Sequence, residues 1–304
     1  MKRTLLLTGG SGLLAVNWAV KMRESFNVVL LLHNRHILIN GVISLNVDIS
    51  SFLDLITIVL KYRPLAVIHT ACLTSVESCE QDPILAYEVN VKITENVAKV
   101  TQSLGVKMVH ISTDHLFSGN KSFVSEEVIT SACNVYGNTK ALAEEKVFKF
   151  NENSLILRTN FYGFGTSYRK SFSDTIIFSL TNCIPITLYN NVYYTPIYIS
   201  ELIYLAHVLI ERNAQGVFNL VSDNRISKYE FGILLAEEFG LEKEFIRKGE
   251  LMFKSSSVKR PLDMSLSNLK FSKLTGISIG NVGVHIKKMK TEINTCNSKE
   301  IQSL

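Results

Sequence analysis

Lys2-Arg3-Thr4-Leu5-Leu6-Leu7-Thr8-Gly9-Gly10-Ser11-Gly12-Leu13-Leu14-Ala15 decides the fold class of this chain. The apolar run through Leu7 reads as a short strand buried on both faces. Thr8 to Gly12 interrupt it with small or polar residues, and an apolar-periodic helix follows through Trp18, Ala19 and Met22. Strand, glycine turn and helix come in that order, with Gly9, Gly12 and Ala15 in the pattern Gly-x-x-Gly-x-x-Ala. Glycines let a backbone approach a pyrophosphate, and free N–H groups at a helix start attract its charge. A secretory leader competes for the same stretch, because Met1-Lys2-Arg3 precedes a leucine run and Ala15. The polar break from Thr8 to Gly12 argues against it.

Outward from this unit, strand-like runs alternate with helical ones. Apolar runs at 27–32, 42–47, 64–69, 106–111 and 154–158 read as strands, and 51–62 and 82–103 as helices. Such alternation implies a parallel sheet covered on both faces. The second half is more irregular. It offers a helix near 200–212, a strand at 216–221, and a capping box of Ser227 and Glu230 that starts a helix through Phe239. The expected class is α/β: a Rossmann-type doubly wound parallel sheet with a smaller, mixed α/β C-terminal lobe. Residues 1–160 are expected to form the dinucleotide-binding domain and 161–304 mainly the substrate-binding lobe, with part of 195–223 returning to the first domain.

Two further stretches carry chemistry. In Tyr136-Gly137-Asn138-Thr139-Lys140 the tyrosine and lysine stand at i and i+4, one turn apart on one face of a helix. A fixed ammonium nearby favours the phenolate, so the tyrosine gives up its proton more readily. A carbonyl reductase needs such an acid as hydride reaches the carbon. The same spacing also suits a surface tyrosine packed over a lysine stem. In Val109-His110-Ile111-Ser112-Thr113-Asp114 an apolar strand ends in two hydroxyls and a carboxylate. Ligands of open parallel sheets bind beyond the carboxyl ends of strands. A hydroxyl there can hold a substrate carbonyl and the tyrosine hydroxyl together; turn formation or helix capping is the competing use of these residues.

Together these stretches resemble the extended short-chain dehydrogenase/reductase family, and within it the dTDP-4-dehydrorhamnose reductases. The resemblance runs through nearly all 304 residues. Val67-Ile68-His69-Thr70-Ala71 is similar to the family's strand and small-residue turn beside the cofactor, and 80–90 to the helix that follows. Ser112-Thr113-Asp114-His115-Leu116-Phe117-Ser118-Gly119 is similar to Ser-Thr-Asp-Tyr-Val-Phe-Asp-Gly. Arg158-Thr159-Asn160-Phe161-Tyr162-Gly163 is similar to Arg-Thr-x-Trp-x-Tyr-Gly, and Thr195-Pro196-Ile197-Tyr198 and Arg260-Pro261 also have counterparts. Some positions depart. His115 and Leu73 stand where tyrosine is usual, Phe161 where tryptophan is, and Ser267 where aspartate is; the loop 126–133 lacks the usual prolines. These departures bear on sugar recognition and leave the proton-transfer residues untouched.

The resemblance implies NAD(P)H-dependent reduction of the 4-keto group of a nucleotide-activated 6-deoxy sugar, in deoxysugar and polysaccharide precursor biosynthesis. It implies Gly9, Ser11, Gly12, Leu13 and Leu14 around the pyrophosphate, Asp48 and Ile49 beside adenine, and Thr70, Ala71 and Leu73 along the nicotinamide. Thr113 would hold the ketone and Tyr136 donate the proton. Lys140 would lower the pKa of Tyr136 and bind the nicotinamide ribose. Asn160, Phe161 and Arg260 would face the nucleotide sugar. In Lys259-Arg260-Pro261 the arginine can grip a phosphate with two parallel hydrogen bonds, and the preceding Ser255-Ser256-Ser257 suggests a mobile loop. After the second strand, His33-Asn34-Arg35-His36 lacks the acid of an NAD-selective site. Arg35, with Asn34, would instead meet a 2′-phosphate, which predicts NADPH as the preferred cofactor and NADH as a second choice. Two alternatives stand beside this reading: an epimerase of the same superfamily, and a non-catalytic regulatory subunit like that of methionine adenosyltransferase. A dehydratase is disfavoured because His115, not an acid, follows Asp114.

Composition narrows the classes. Hydrophobic residues make up 46% and charged residues 19%, which excludes disorder for most of the chain. The net charge of +5, from 32 basic and 27 acidic residues, gives no nucleic-acid footprint but suits a phosphate-bearing ligand. Lys287-Lys288-x-Lys290 reads as a solvated helix face. The five cysteines are odd in number, scattered and without metal spacing, which points to free thiols, no metal and a cytoplasmic protein. No apolar run reaches the length of a membrane span. His33 and His36 lack the partners of a metal site, and His110 and His207 read as core residues. The polar tail from Asn294 is expected to fray. The resemblance also allows a homodimer.

Overall fold

The chain opens with β1 (Thr4–Thr8), α1 (Leu13–Met22), β2 (Asn27–Leu32) and β3 (Ile43–Asn46), in a computed structural model that describes residues 2–252 and 258–304. It continues through α2 (Phe52–Tyr62), β4 (Ala66–His69), the short helices α3 (Val76–Gln81) and α4 (Pro83–Tyr87), α5 (Ile93–Ser103), β5 (Lys107–Ile111), α6 (Val135–Phe150) and β6 (Leu155–Arg158). The second half is cut into shorter pieces: β7 (Phe161–Tyr162), α7 (Phe172–Thr181), β8 (Ile186–Tyr189), β9 (Tyr193–Tyr194), β10 (Ile197–Tyr198), α8 (Ile199–Glu211), β11 (Gly216–Asn219), β12 (Ile226–Ser227), α9 (Lys228–Phe239), β13 (Ile246–Gly249), α10 (Leu269–Thr275), α11 (Val282–Glu292) and α12 (Cys296–Ser303). Ser227 and Glu230 close the expected capping box at the start of α9. The serine run Ser255-Ser256-Ser257, read above as a mobile loop, lies outside the described residues.

Seven strands form one parallel sheet in the order β11-β6-β5-β4-β1-β2-β3. Alternate residues of a strand face opposite sides. Leu5 and Leu7 accordingly join Trp18, Leu202 and Ala206 in one core, while Leu6 joins Val29, Val67 and Val97 in another. That two-sided burial is why the strands read as unbroken apolar runs. Trp18 Nε1 donates to His207 Nε2 at 3.0 Å and ties α1 to α8, so His207 is a core residue with a partner. Strand order reverses between β1 and β4, and open sheets leave a ligand crevice at that switch. Three two-stranded sheets (β10-β7, β12-β9 and β13-β8) lie outside the main sheet. Around them Phe231 packs against Tyr162, Phe172 and Tyr194.

Two expectations need correction. The single helix foreseen at 82–103 contains a π-helical turn, Glu88–Lys92, between α4 and α5. Such turns often mark functional sites. Here it carries Asn90, whose side chain accepts from the Leu73 N–H at 2.7 Å and donates to Thr139 Oγ1 at 3.0 Å. The tail from Asn294 does not fray either. Thr295 caps α12, Ile301 is buried, and Arg23 at the end of α1 pairs with Glu300 at 2.6 Å. Apolar Ile301 and a half-buried ion pair were too few to register as a pattern in a polar stretch. Among the described residues, no helix is long and apolar enough to cross a membrane.

Candidate active site

The glycine turn sits at the carboxyl end of β1. Gly9 has φ +65°, and a Cβ there would stand 2.8 Å from the Ala71 backbone, so only glycine lets the tops of β1 and β4 approach this closely. Gly12 caps α1 without any side-chain hydrogen bond. The first N–H groups of α1 therefore keep no side-chain acceptor, and Gly12 lines a cleft, an arrangement that fits an anionic group such as a dinucleotide pyrophosphate. That cleft holds about 320 Å³ and is lined by Gly9, Ser11, Gly12, Asp48, Ile49 and Ala71, among others. A second cleft of about 320 Å³ adjoins it and shares Gly12, Thr70, Cys72 and Arg169 with the first.

Thr113, Tyr136 and Lys140 all line the second cleft, with Leu13, Leu14, Asn160 and Phe161. The three residues that follow β5 divide their work. Ser112 Oγ donates to Glu144 at 2.5 Å, and Glu144 pairs with buried Arg158 at 2.7 Å, so Ser112 fastens the sheet to α6. Thr113 faces the cleft, its hydroxyl 3.3 Å from Asp114 Oδ1. The other oxygen of Asp114 accepts from Asn160 at 2.6 Å, which holds the β6–β7 joint against the end of β5.

Tyr136 is only 9% exposed, with the His115 ring edge-on at 5.5 Å. Burial pushes its phenol well above the ordinary range, the Cys72 thiol adds to the rise, and the Thr113 hydroxyl opposes it. Lys140 is buried too, and that burial lowers its pKa. Its ammonium donates to the Ile111 carbonyl at 2.7 Å and lies 3.2 Å from His110 Nε2. Desolvation of the phenol is the largest influence on Tyr136, while the Lys140 ammonium is engaged at the end of β5. Behind Lys140, His110 stacks on His69 at 5.4 Å, and His69 is held between Thr8 at 2.8 Å and Thr94 at 2.9 Å. Burial, then the Lys140 charge, keeps both imidazoles neutral, His69 with a pKa near 3.

Four expected residues stand apart from the two clefts. Leu73 turns its backbone to Asn90, which donates to its carbonyl at 3.2 Å. Asn34 and Arg35 are exposed, and the Arg35 guanidinium sits 4.1 Å over the Tyr168 ring. Arg260 forms an ion pair with Glu77 of α3. Conversely, sequence reasoning did not single out Cys72, Thr74, His33 or Arg169 as cleft residues. Gly163 and Gly165 precede the bend that carries Arg169, and a Cβ on Gly165 would stand 2.4 Å from the Arg169 carbonyl oxygen. Among the described residues, no group of His, Cys, Asp or Glu is placed to hold a metal ion.

A family model described as the RmlD substrate binding domain matches residues 2–294. The chain belongs to that family. One relative in sequence is methionine adenosyltransferase 2 subunit beta of Xenopus laevis, 27% identical over 196 residues; the alignment spans 61% of this chain and 58%, under two thirds, of the relative. Another is a dTDP-4-dehydrorhamnose reductase of Aggregatibacter actinomycetemcomitans, 28% identical over 204 residues, or 64% of this chain and 68% of that one. Among solved structures, a dTDP-4-dehydrorhamnose reductase from Bacillus anthracis in complex with NADP superposes with a TM-score of 0.84, covering 96% of this chain and 100% of that one at 22% identity. At that identity the likeness speaks for the fold, and the RmlD-family sheet found here is the same Rossmann-type sheet.

Proposed function

We propose that this protein reduces the 4-keto group of a nucleotide-activated 6-deoxy sugar, with NADPH preferred and NADH accepted, as a cytoplasmic enzyme of deoxysugar precursor biosynthesis. One observation carries the reading: Thr113, Tyr136 and Lys140 meet in a cleft that shares Gly12 and Thr70 with the glycine-turn cleft. The name of the Aggregatibacter relative and the NADP in the Bacillus structure support it.

When bound, the dihydronicotinamide supplies hydride. The chain supplies position and a proton. Thr113 would turn its hydroxyl proton from Asp114, itself held by Asn160, to the ketone oxygen. The phenol of Tyr136 is protonated at neutral pH, the state a general acid requires, and burial alone does not make it a stronger acid. Lys140, its orientation set by Ile111 and His110, would stabilise the phenolate left behind and hold the nicotinamide ribose. Leu13, Leu14 and Phe161 close apolar walls around the reacting centre. Residues from 161 onward supply the sugar-nucleotide side, and Arg260 would exchange Glu77 for a substrate phosphate.

A second reading, a non-catalytic regulatory subunit, is favoured by the Xenopus relative, which by its name is a subunit of a methionine adenosyltransferase. His115, Leu73 and Phe161, which replace the aromatic residues usual for sugar recognition, agree with it. Incubating the purified protein with NADPH and a panel of nucleotide 4-keto-6-deoxy sugars, with products identified by mass, separates the two. The reductase reading predicts a 4-hydroxy product and matching NADPH loss. Dinucleotide binding with no turnover on any panel member, together with tight binding to a methionine adenosyltransferase catalytic subunit, would favour the regulatory one.

A further inference from the structure

Residues 163–171 bend back from the second half of the chain onto the glycine turn. Thr166 and Arg169 exchange backbone hydrogen bonds, Thr166 N–H to the Arg169 carbonyl at 3.0 Å and Arg169 N–H to the Thr166 carbonyl at 3.3 Å, so the bend is tight. The Tyr168 hydroxyl donates to the Ser11 carbonyl at 2.9 Å, inside the glycine turn itself. Arg35 stacks over the same ring at 4.1 Å. The bend is therefore pinned from two sides, and Arg169 is carried to one place: it lines both clefts, where they share Gly12 and Thr70. Its guanidinium donates to Thr74 Oγ1 at 2.9 Å. Among the described residues, no carboxylate lies within ion-pair distance of it. Guanidinium has five N–H donors in a planar fork that matches two phosphate oxygens.

We propose that Arg169 is a diphosphate clamp, gripping the pyrophosphate of the bound dinucleotide where the two clefts meet beside Gly12. The assignment rests on the reading of the glycine-turn cleft as a dinucleotide site. A nucleotide sugar carries the same diphosphate chemistry and would meet the second cleft. The cofactor is the favoured source because Tyr168, next to Arg169, is bonded to Ser11 of the turn that receives the cofactor's phosphates. The clamp couples the two halves of the chain: the second half holds the cofactor through one exposed arginine that the first half positions through Ser11, Arg35 and Thr74.

Calorimetric titration of the full-length protein tests this with four probes: NADPH, ADP-ribose, 2′-AMP and dTDP. Arg169→Ala should raise the Kd for NADPH and ADP-ribose by about tenfold or more, as for a lost charged hydrogen bond. It should leave 2′-AMP and dTDP unchanged. Tyr168→Phe should weaken the same two ligands by a smaller factor, because the arginine remains but its turn is unpinned. Arg169→Lys should fall between, keeping charge without the fork. Unchanged NADPH and ADP-ribose affinity in Arg169→Ala would overturn the clamp, and a loss confined to dTDP would overturn its assignment to the cofactor. Failure of the wild-type protein to bind any dinucleotide would overturn the reading of the cleft itself, and the clamp with it.

Discussion

The ammonium of Lys140 lies 3.2 Å from Nε2 of His110, buried at the carboxyl end of β5. Burial holds His110 neutral, so its ring can accept from the ammonium, and the Ile111 carbonyl takes a second bond at 2.7 Å. The lysine is thus aimed by the strand that leads into Thr113. Lys140→Met should reduce turnover by about 100-fold or more and also weaken NADPH binding, because one ammonium serves the phenolate and the ribose. Steady-state rates and NADPH titration together check this; normal cofactor affinity would confine Lys140 to proton transfer.

Arg35 stacks on Tyr168 and stands outside the cleft lining. A 2′-phosphate beyond the adenosine would reach toward that exposed face. Arg35→Ala should lower NADPH affinity several-fold and NADH affinity by a smaller factor, the latter because the ring that helps place Arg169 loses its stacked partner. Competitive titration of the two cofactors measures it. Equal affinity of the wild-type protein for NADH and NADPH would contradict the role.

Arg260 is paired with Glu77 on α3, at the edge of the second cleft that Val76 lines. Arg260→Ala should raise KM for a nucleotide sugar by roughly tenfold, the worth of a charged hydrogen bond, and leave NADPH affinity unchanged. Glu77→Gln should do the reverse for KM, since it frees the guanidinium. A normal KM in Arg260→Ala would assign the arginine to the Glu77 contact alone.

Much of this was legible before any coordinates. The strand–turn–helix of 2–22 and the apolar alternation through Arg158 placed the parallel sheet, because strands buried on both faces leave an unbroken apolar signature. Spacing placed Tyr136 and Lys140 on one face. It could not say how deeply that face is buried, and desolvation is the largest influence on the Tyr136 phenol. The π-helical turn at Asn90 answers a tertiary demand, a bridge between Leu73 and Thr139, that no local periodicity encodes. Arg169 was invisible for another reason. An exposed arginine in a glycine-bent loop looks like any solvated charge until the loop is seen to return to Ser11.

Stability should fall on the acid side through the buried histidines. Burial lowers the pKa of His207 from 6.5 to about 4. Below 6.5 the unfolded chain takes up a proton that the folded chain refuses, so stability present above that pH is lost as pH falls toward 4. The loss is up to about 3 kcal/mol for this residue. His69, with its pKa near 3, steepens the same limb. His207→Gln, which keeps an acceptor for Trp18, should flatten the dependence; denaturant melts across this window would show it, and an unchanged slope would count against the burial argument.

The most direct test of the account is the initial rate of NADPH oxidation with a nucleotide 4-keto-6-deoxy sugar, wild type against Tyr136→Phe. The phenol is buried beside Thr113 with its proton retained, so the account predicts turnover in the wild type and a loss of about 100- to 10,000-fold in the variant, with NADPH affinity nearly unchanged. Turnover in Tyr136→Phe equal to wild type would contradict it.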